Sequence, residues 1–335
     1  MASLVIRRIG WTIAVLFVAS VIAFVLLRVA PGNPAREILG PTATPAAVQN
    51  LRDEMGLNKS VPDQYWIYVT HMVRGDFGTS WQDREPVSRE LGQRIPATIE
   101  LALYAILLAV ILAIPMGVFA ATHRRFDRVS RWGAVIGLGT PSFWLGLLLI
   151  LVFFTKLHIA PAPFGRLSPS VVPPPKVTGL YTLDALIAGE PSVFFNALWH
   201  LLLPAITLGL PLTAYLSRIV RRSMADVSRL DFVRTARAKG APEWRVLFRH
   251  ALPNAMLPVI TLSALAFGDL LAGAVLVEAV FSWPGVGGWV AQSILSQDYA
   301  PVQAAVILAA LVYSVLNMAA DVLYGVVDPR VRIAR

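Results

Sequence analysis

Residues Ala97–Ala121 read ATIELALYAILLAVILAIPMGVFAA, with Glu100 as their single charged side chain. About 20 consecutive, mostly apolar residues suffice for a helix to cross the hydrocarbon core of a bilayer. This stretch therefore predicts a transmembrane helix. Five more qualify: Ile9–Ala30 with Arg28, uncharged Trp132–Thr155, Ala197–Ser217 with His200, Pro204 and Pro211, Asn254–Ala279 with Asp269 and Glu278, and Val302–Val327 with Asp321. The expected fold class is an all-α integral membrane protein with six transmembrane helices. Composition agrees. Of 335 residues, 56% are hydrophobic and 15% charged, and mean hydropathy is +0.64. Soluble domains carry about 25% charged residues, so a typical soluble enzyme, a disordered chain and a small disulfide scaffold are excluded. Cysteine is absent, which removes disulfides, thiolate metal sites and redox motifs.

The first span follows Arg7 and Arg8, as a signal peptide would. Its apolar run, Ile9–Leu27, exceeds the usual 7–15 residues of such a peptide, and no A-x-A-like site closes it. An uncleaved anchor is expected. Lys and Arg then orient the chain. Of 29 basic residues, 18 lie in segments 1–8, 122–131, 218–253 and 328–335, and 10 in the longer segments 31–97, 156–196 and 280–301. Basic residues accumulate on the cytoplasmic side, so both termini are expected there. The net charge of +9 reads as topology rather than nucleic-acid binding. The expected organisation is a cytoplasmic end and first span over 1–30, a long extracytoplasmic helical segment over 31–96, a transmembrane core over 97–327 with a cytoplasmic segment at 218–253, and a cytoplasmic tail over 328–335.

In the segment after the first span, Thr44 and Pro45 suit an N-cap and first helical position. Val48, Leu51 and Met55 follow at helical spacing, and Gly56 ends the helix. A second amphipathic stretch begins near Asp63, with Tyr65, Trp66 and Tyr68 suited to a membrane interface. Residues 160–179 are Pro-rich and read as an extended external loop. Ser282–Gly288 reads as a tight Gly-rich turn. Ala264, Gly268 and Ala272 recur every four residues, a face that lets another helix approach closely.

Arg218–Pro253 is too polar to span and too patterned for slack loop. Asp231 is expected to cap a helix over Phe232–Lys239, and Gly240 suits its left-handed exit. Pro242 fits the first position of a second helix. Trp244, Leu247, Phe248 and Ala251 then fall at i, i+3, i+4 and i+7, one apolar face. Such an element can dock into a groove on another protein or lie on anionic lipid through Arg245 and Arg249.

Arg234-Thr-Ala236, three residues, Gly240, nine residues and His250-Ala-Leu-Pro253 resemble the cytoplasmic motif of ABC importer permeases, EAA-x3-G-x9-I-x-L-P. Ala236, Gly240, Leu252 and Pro253 match by identity, whereas Arg234, Thr235 and His250 stand where the motif has Glu, Ala and Ile. Further stretches resemble the dipeptide/oligopeptide branch, B-type subunit. They are Arg28–Pro34, Met55–Leu57 with Gln64-Tyr65, Arg74–Gly78, Arg94–Thr98, Pro141–Leu145, Glu278–Gly288 and Val327–Arg330. The resemblance implies a type I importer permease fold in a bacterial cytoplasmic (inner) membrane. Implied partners are a second homologous permease, two ABC ATPase subunits, an extracytoplasmic substrate-binding protein and membrane lipid, with no nucleic acid. It also implies that Asp231, Arg234, Thr235, Ala236, Arg237, Lys239, Gly240, Trp244, Leu247 and Phe248 couple the chain to the ATPases. No G-x-x-x-x-G-K-[ST] loop occurs, so the subunit is expected to be no enzyme and to bind no cofactor, with ATP and Mg held by its partners. The implied cargo is short peptides. Nickel complexes, glutathione or oligosaccharides are alternatives on the same machinery. An ion-driven secondary transporter is a third reading, and the absence of an internal repeat argues against it.

Carboxylates inside spans are costly and usually face a cavity or a partner. Asp269, deep in the fifth span, is the leading candidate for the translocation pathway. Asp321 suits a structural pairing. Glu100, Glu278 and Arg28 lie near the expected extracytoplasmic ends, where snorkelling or gate pairing would satisfy them.

Overall fold

A computed structural model of the protein describes residues 2–29, 34–40, 42–54, 58–123, 126–128, 133 and 137–327. Among these, the side chains of residues 2–5, 26–29, 34, 37, 38, 54, 272 and 319–327 lie outside the description. Helices carry the fold. In chain order they are α1 (Ala2–Val29), α2 (Pro34–Leu39), α3 (Pro45–Glu54), α4 (Val61–Val73) and α5 (Val87–Thr122). Then come α6 (Ser142–Leu149), which widens into π-helical turns over Ile150–Lys156, α7 (Tyr181–Ala188), α8 (Pro191–Val227) and α9 (Asp231–Ala238). Last come α10 (Glu243–Arg245), π-helical turns over Val246–Ala251, α11 (Leu252–Val280), α12 (Val286–Leu295) and α13 (Tyr299–Val327).

Five runs are long and apolar enough to cross a membrane: Ile6–Val25, Val87–Thr122, Pro191–Val227, Glu243–Leu271 and Tyr299–Met318. They overlap five of the six expected spans. The remaining one, Trp132–Thr155, falls partly outside the described residues, and its described part is the shorter apolar helix Ser142–Lys156.

The chain divides into two compact units. One comprises Met1–Ile95 and Trp289–Val315. Here Thr44 caps α3 as expected, its Oγ1 accepting from the Ala47 amide at 3.3 Å, while Met55 and Gly56 lie outside the described residues. The next helix begins at Val61, near Asp63 as expected, and its cap is Ser60, whose hydroxyl accepts from the Asp63 amide. The tyrosines of α4 do not act as one set with Trp66. At 3.6 residues per turn, Tyr65 and Tyr68 share a face and Trp66 turns away. Tyr65 and Tyr68 pack on Phe24 of α1, at 5.1 and 5.8 Å between ring centroids, and Tyr65 Oη hydrogen-bonds Ser20 Oγ at 2.8 Å. Trp66 is exposed. The turn before α5 is fixed by buried Asp298, which accepts from Ser80 Oγ at 2.6 Å and from the Gln82 amide at 3.3 Å. Burial nevertheless leaves the Asp298 carboxyl above its ordinary range.

The other unit comprises Pro96–Gly288 and Leu316–Arg335. Ala97, Leu101, Ala105, Ala109 and Ala113 form a fully buried ridge along α5 with a four-residue repeat. Small side chains are needed because α8 comes into backbone contact. A Cβ added at Gly209 would lie 2.6 Å from Ala105 O, and one at Gly117 would lie 2.8 Å from Ser217 O. The tight approach is thus between α5 and α8, whereas Ala264 and Gly268 on α11 are half-buried. Ala272 has no described side chain. Pro204 and Pro211 lie inside α8, and the hydroxyls of Thr207 and Thr213 bond back to Leu203 O and Gly209 O. Self-satisfied polar groups of this kind are what an apolar medium demands.

Candidate functional site

Two polar assemblies sit at opposite ends of α11. Its 29 residues run about 43 Å at 1.5 Å per residue, more than the roughly 30 Å of a hydrocarbon core.

At the N-terminal end stands the segment 231–252. Asp231 is the first residue of α9, not its cap. Leu230 holds the cap position and no side chain closes it. The exposed Asp231 carboxylate faces Arg234 at 3.6 Å instead, a contact worth little in water, and its carbonyl accepts from Thr235 Oγ1 at 2.9 Å. Gly240 ends the turn at φ +76°, where its amide donates to Arg237 O and that of Ala241 to Ala236 O. A left-handed residue at this place is the glycine signature of a helix exit. Pro242 occupies the cap rather than the first turn of the next helix. Across the turn, Arg237 forks onto Glu243, Nη2 to Oε1 at 2.7 Å and Nε to Oε2 at 3.2 Å. The fork raises the Arg237 pKa.

The expected apolar face of the second helix is divided. Leu247 (7% exposed) and Ala251 are buried together with Val233 and Val246, whereas Trp244 (62%) and Phe248 (42%) point outward. The cause is the π-helical turn over Val246–Ala251. There the Leu252 amide donates to Leu247 O, five residues back, so a count at 3.6 per turn loses its register. Pro253 supplies a reason for the widening. It has no N–H to offer Arg249 O, and its ring would strike that carbonyl in a regular α-helix. The Asn254 side chain takes up the neighbouring His250 O at 2.8 Å. The helical path therefore continues without a break from Glu243 through Val280. Lys239, Arg245 and Arg249 are exposed, as Trp244 and Phe248 are, and the Arg245 guanidinium lies 5.4 Å from the Trp244 ring centroid.

At the C-terminal end the structure buries two expected carboxylates. Glu100, 2% exposed, does not snorkel. It accepts from Arg166 Nη2 and from the amide and hydroxyl of Thr182, at 2.8 and 2.7 Å. Arg166 also donates to Gly179 O at 2.8 Å and stacks 3.5 Å from the Tyr181 ring centroid. This buried, hydrogen-bonded pair fastens the Pro-rich loop to α5 at Arg166 and, through Gly179 O, near the loop's end. Asp184, also buried, organises the turn before α7. Burial alone would raise its pKa, but donors from Thr178 and from the Gly179 amide outweigh that and hold it below the ordinary aspartate range.

Glu278, 1% exposed, accepts from Thr98 Oγ1 at 2.6 Å and from the Gly288 amide at 2.9 Å. The chain after α11 folds back over it. Ser282 adopts φ +47°, and a Cβ at Gly285 would overlap the Glu278 carboxylate. Trp283 Nε1 donates to Ala97 O at 2.9 Å, and its ring lies 5.9 Å from the Arg166 guanidinium. The four expected in-span carboxylates are thus not one set. Glu100 and Glu278 belong to this intrachain network. Asp269 is exposed along α11 and has no polar partner among the described residues. The Asp321 side chain, like Arg28, lies outside the described side chains. Among the described residues no cluster of three or more His, Asp or Glu is placed to hold a metal ion.

Sequence reading missed Arg166 and Thr182, which sit in or after the Pro-rich loop, 66 and 82 residues from Glu100. Thr98 and Trp283 carried a usable signal, because both end or interrupt the family-like stretches Arg94–Thr98 and Glu278–Gly288.

Several apolar spans define a multi-pass membrane protein, with an exposed aromatic pair on a helix continuous with one span and a buried polar network at that helix's far end. The chain belongs to the family described as binding-protein-dependent transport system inner membrane component, whose profile matches residues 113–333. The N-terminal membrane-component profile of the same systems matches residues 1–102. The chain is 43% identical over 331 residues to the probable D,D-dipeptide transport system permease protein DdpB of Escherichia coli strain K12, covering 98% of this chain and 97% of that protein. It is 37% identical over 334 residues to the dipeptide transport system permease protein DppB of Alkalihalophilus pseudofirmus, covering 99% and 100%. The glutathione transport system permease protein GsiC of E. coli strain K12 is also 37% identical over 334 residues, with 99% of both chains covered.

Proposed function

We propose that the chain is the membrane-spanning permease subunit of an ATP-driven ABC importer that carries short peptides across the cytoplasmic membrane by alternating access. The observation that carries this reading is the exposed pair Trp244 and Phe248 on a helix that runs unbroken into the span Glu243–Leu271. A partner that grips this pair moves the span with it. In this reading the residues 231–252 dock on one of two partner ATPases, which hold ATP and Mg. A second homologous permease supplies the other half of the pathway, and an extracytoplasmic binding protein delivers cargo. Both termini lie in the cytoplasm, as the basic flanks support.

Peptide cargo is supported by the dipeptide names of DdpB and DppB. The GsiC name favours a second reading within the same machinery, glutathione, itself a small peptide. The importer is to be purified with its binding protein and the ligand on that protein identified by mass spectrometry. A di- or tripeptide is expected; a metal complex or oligosaccharide overturns the cargo. Asp269 is the pathway carboxylate in this reading, since a lone exposed charge in a span needs water or a counter-charge. In Asp269→Asn, uptake of a cationic dipeptide is expected to fall more than that of a neutral one. Equal rates for both, unchanged from the parent, exclude a substrate-facing charge.

A further inference from the structure

Two of the four contacts at the far end of α11 share one oxygen. Thr98 Oγ1 donates to Glu278 Oε1 at 2.6 Å and accepts from the Val286 amide at 2.9 Å. The Gly288 amide and the Trp283 indole N–H complete the set, on Glu278 Oε2 and Ala97 O, both at 2.9 Å. The last turn of α11 and the loop 282–288 are thereby tied to the start of the apolar run of α5, 180 residues away in sequence for the Thr98–Glu278 pair.

Three features separate this tie from ordinary core packing. It is made of hydrogen bonds around one carboxylate, which exchange for water with a small net change in free energy. The loop is shaped to the closed position, because a Cβ at Gly285 would overlap the Glu278 carboxylate and one at Gly287 would lie 2.7 Å from Val275 Cα. And α11 leads without interruption to the segment 243–251 at its other end, so the two places share one helical path.

We propose that Thr98 and Glu278 form a latch that holds the extracytoplasmic gate of the permease shut at rest, with Thr98 Oγ1 as its central atom. The proposal rests on the permease reading above and deepens it. The two are positioning residues: they touch each other and the loop, not the cargo. Breaking the latch shifts the population toward the open gate.

The test uses the complete importer in phospholipid vesicles and follows ATP-independent efflux of trapped radiolabelled dialanine. Thr98→Val keeps the shape and removes both hydrogen bonds. Efflux is expected to rise on the order of tenfold, as loss of one to two net hydrogen bonds implies, while the ATPase subunits still co-purify. Thr98→Ser, which keeps the hydroxyl, is expected to be as tight as the parent. Thr207→Val removes a buried hydroxyl that only bonds Leu203 O and is expected to stay tight as well. Efflux from Thr98→Val at the parent rate, or equal leakage from Thr207→Val, overturns the latch. If Thr98→Val does not insert, Glu278→Gln, which keeps the volume and removes one of the two acceptor oxygens, is read by the same criteria. A parent complex whose ATP hydrolysis ignores the loaded binding protein overturns the permease reading instead.

Discussion

Gly240 shows how one backbone angle shapes the segment proposed to couple the chain to its ATPases. Its φ of +76° is open to glycine and costs other residues about 1–2 kcal/mol. No heavy atom lies within 4 Å of where its Cβ would sit, so a substitution strains the turn without a clash. Gly240→Val is expected to insert normally and to weaken ATPase docking and coupled transport. Retained ligand-stimulated ATP hydrolysis in that variant counts against the role. Arg166 and Glu100 make the complementary case, a buried pair in which each ion needs the other. Arg166→Met alone leaves Glu100 buried and uncompensated, at about 3–5 kcal/mol. The double variant Arg166→Met with Glu100→Gln removes both charges and is expected to recover most of that stability in thermal unfolding. If the double variant is no more stable than the single, the pair is not what anchors the loop. Glycine at 240 was legible from the sequence, because spacing and residue type agree there. The partner of Glu100 was not, because a lone arginine among prolines carries no periodicity.

Among the elements, the long apolar helices were the most legible part, since length and composition decide them with little help from tertiary contacts. The second coupling helix was legible in place but not in phase. Counting at 3.6 residues per turn put Trp244, Leu247, Phe248 and Ala251 on one face, and the π-helical turn before Pro253 separates them into an inward and an outward pair. Nothing in side-chain type marks a five-residue hydrogen-bond register, although the proline that cannot serve an α-helical one was visible. The phase has a functional consequence. One residue of register is about 100° of rotation, so the widened turn sets the direction of Trp244 and Phe248 relative to α11. Pro253→Ala restores an amide and permits a regular α-helical register. More ATP is then expected to be hydrolysed per peptide moved, measured as the ratio of the two rates in vesicles. An unchanged ratio denies the turn that role.

For the whole molecule, the net charge of +9 is concentrated in a few segments, which supports the proposed orientation. Nine of the basic residues lie within 218–253, and Arg245 and Arg249 among them are exposed, as the outward aromatic pair is. One helical path carries that pair at one end and the Glu278 network at the other, so in the proposed reading a single helix connects the coupling segment and the gate. Such a helix can bias two global states only if a ligand distinguishes them, and here the distinguishing ligands are nucleotide on the ATPases and cargo on the binding protein. The most direct measurement is dialanine uptake into vesicles containing the complete importer, with and without ATP. The account predicts uptake that requires ATP and the loaded binding protein and that is insensitive to collapse of proton and sodium gradients. Uptake driven by an ion gradient in the absence of ATP would contradict it.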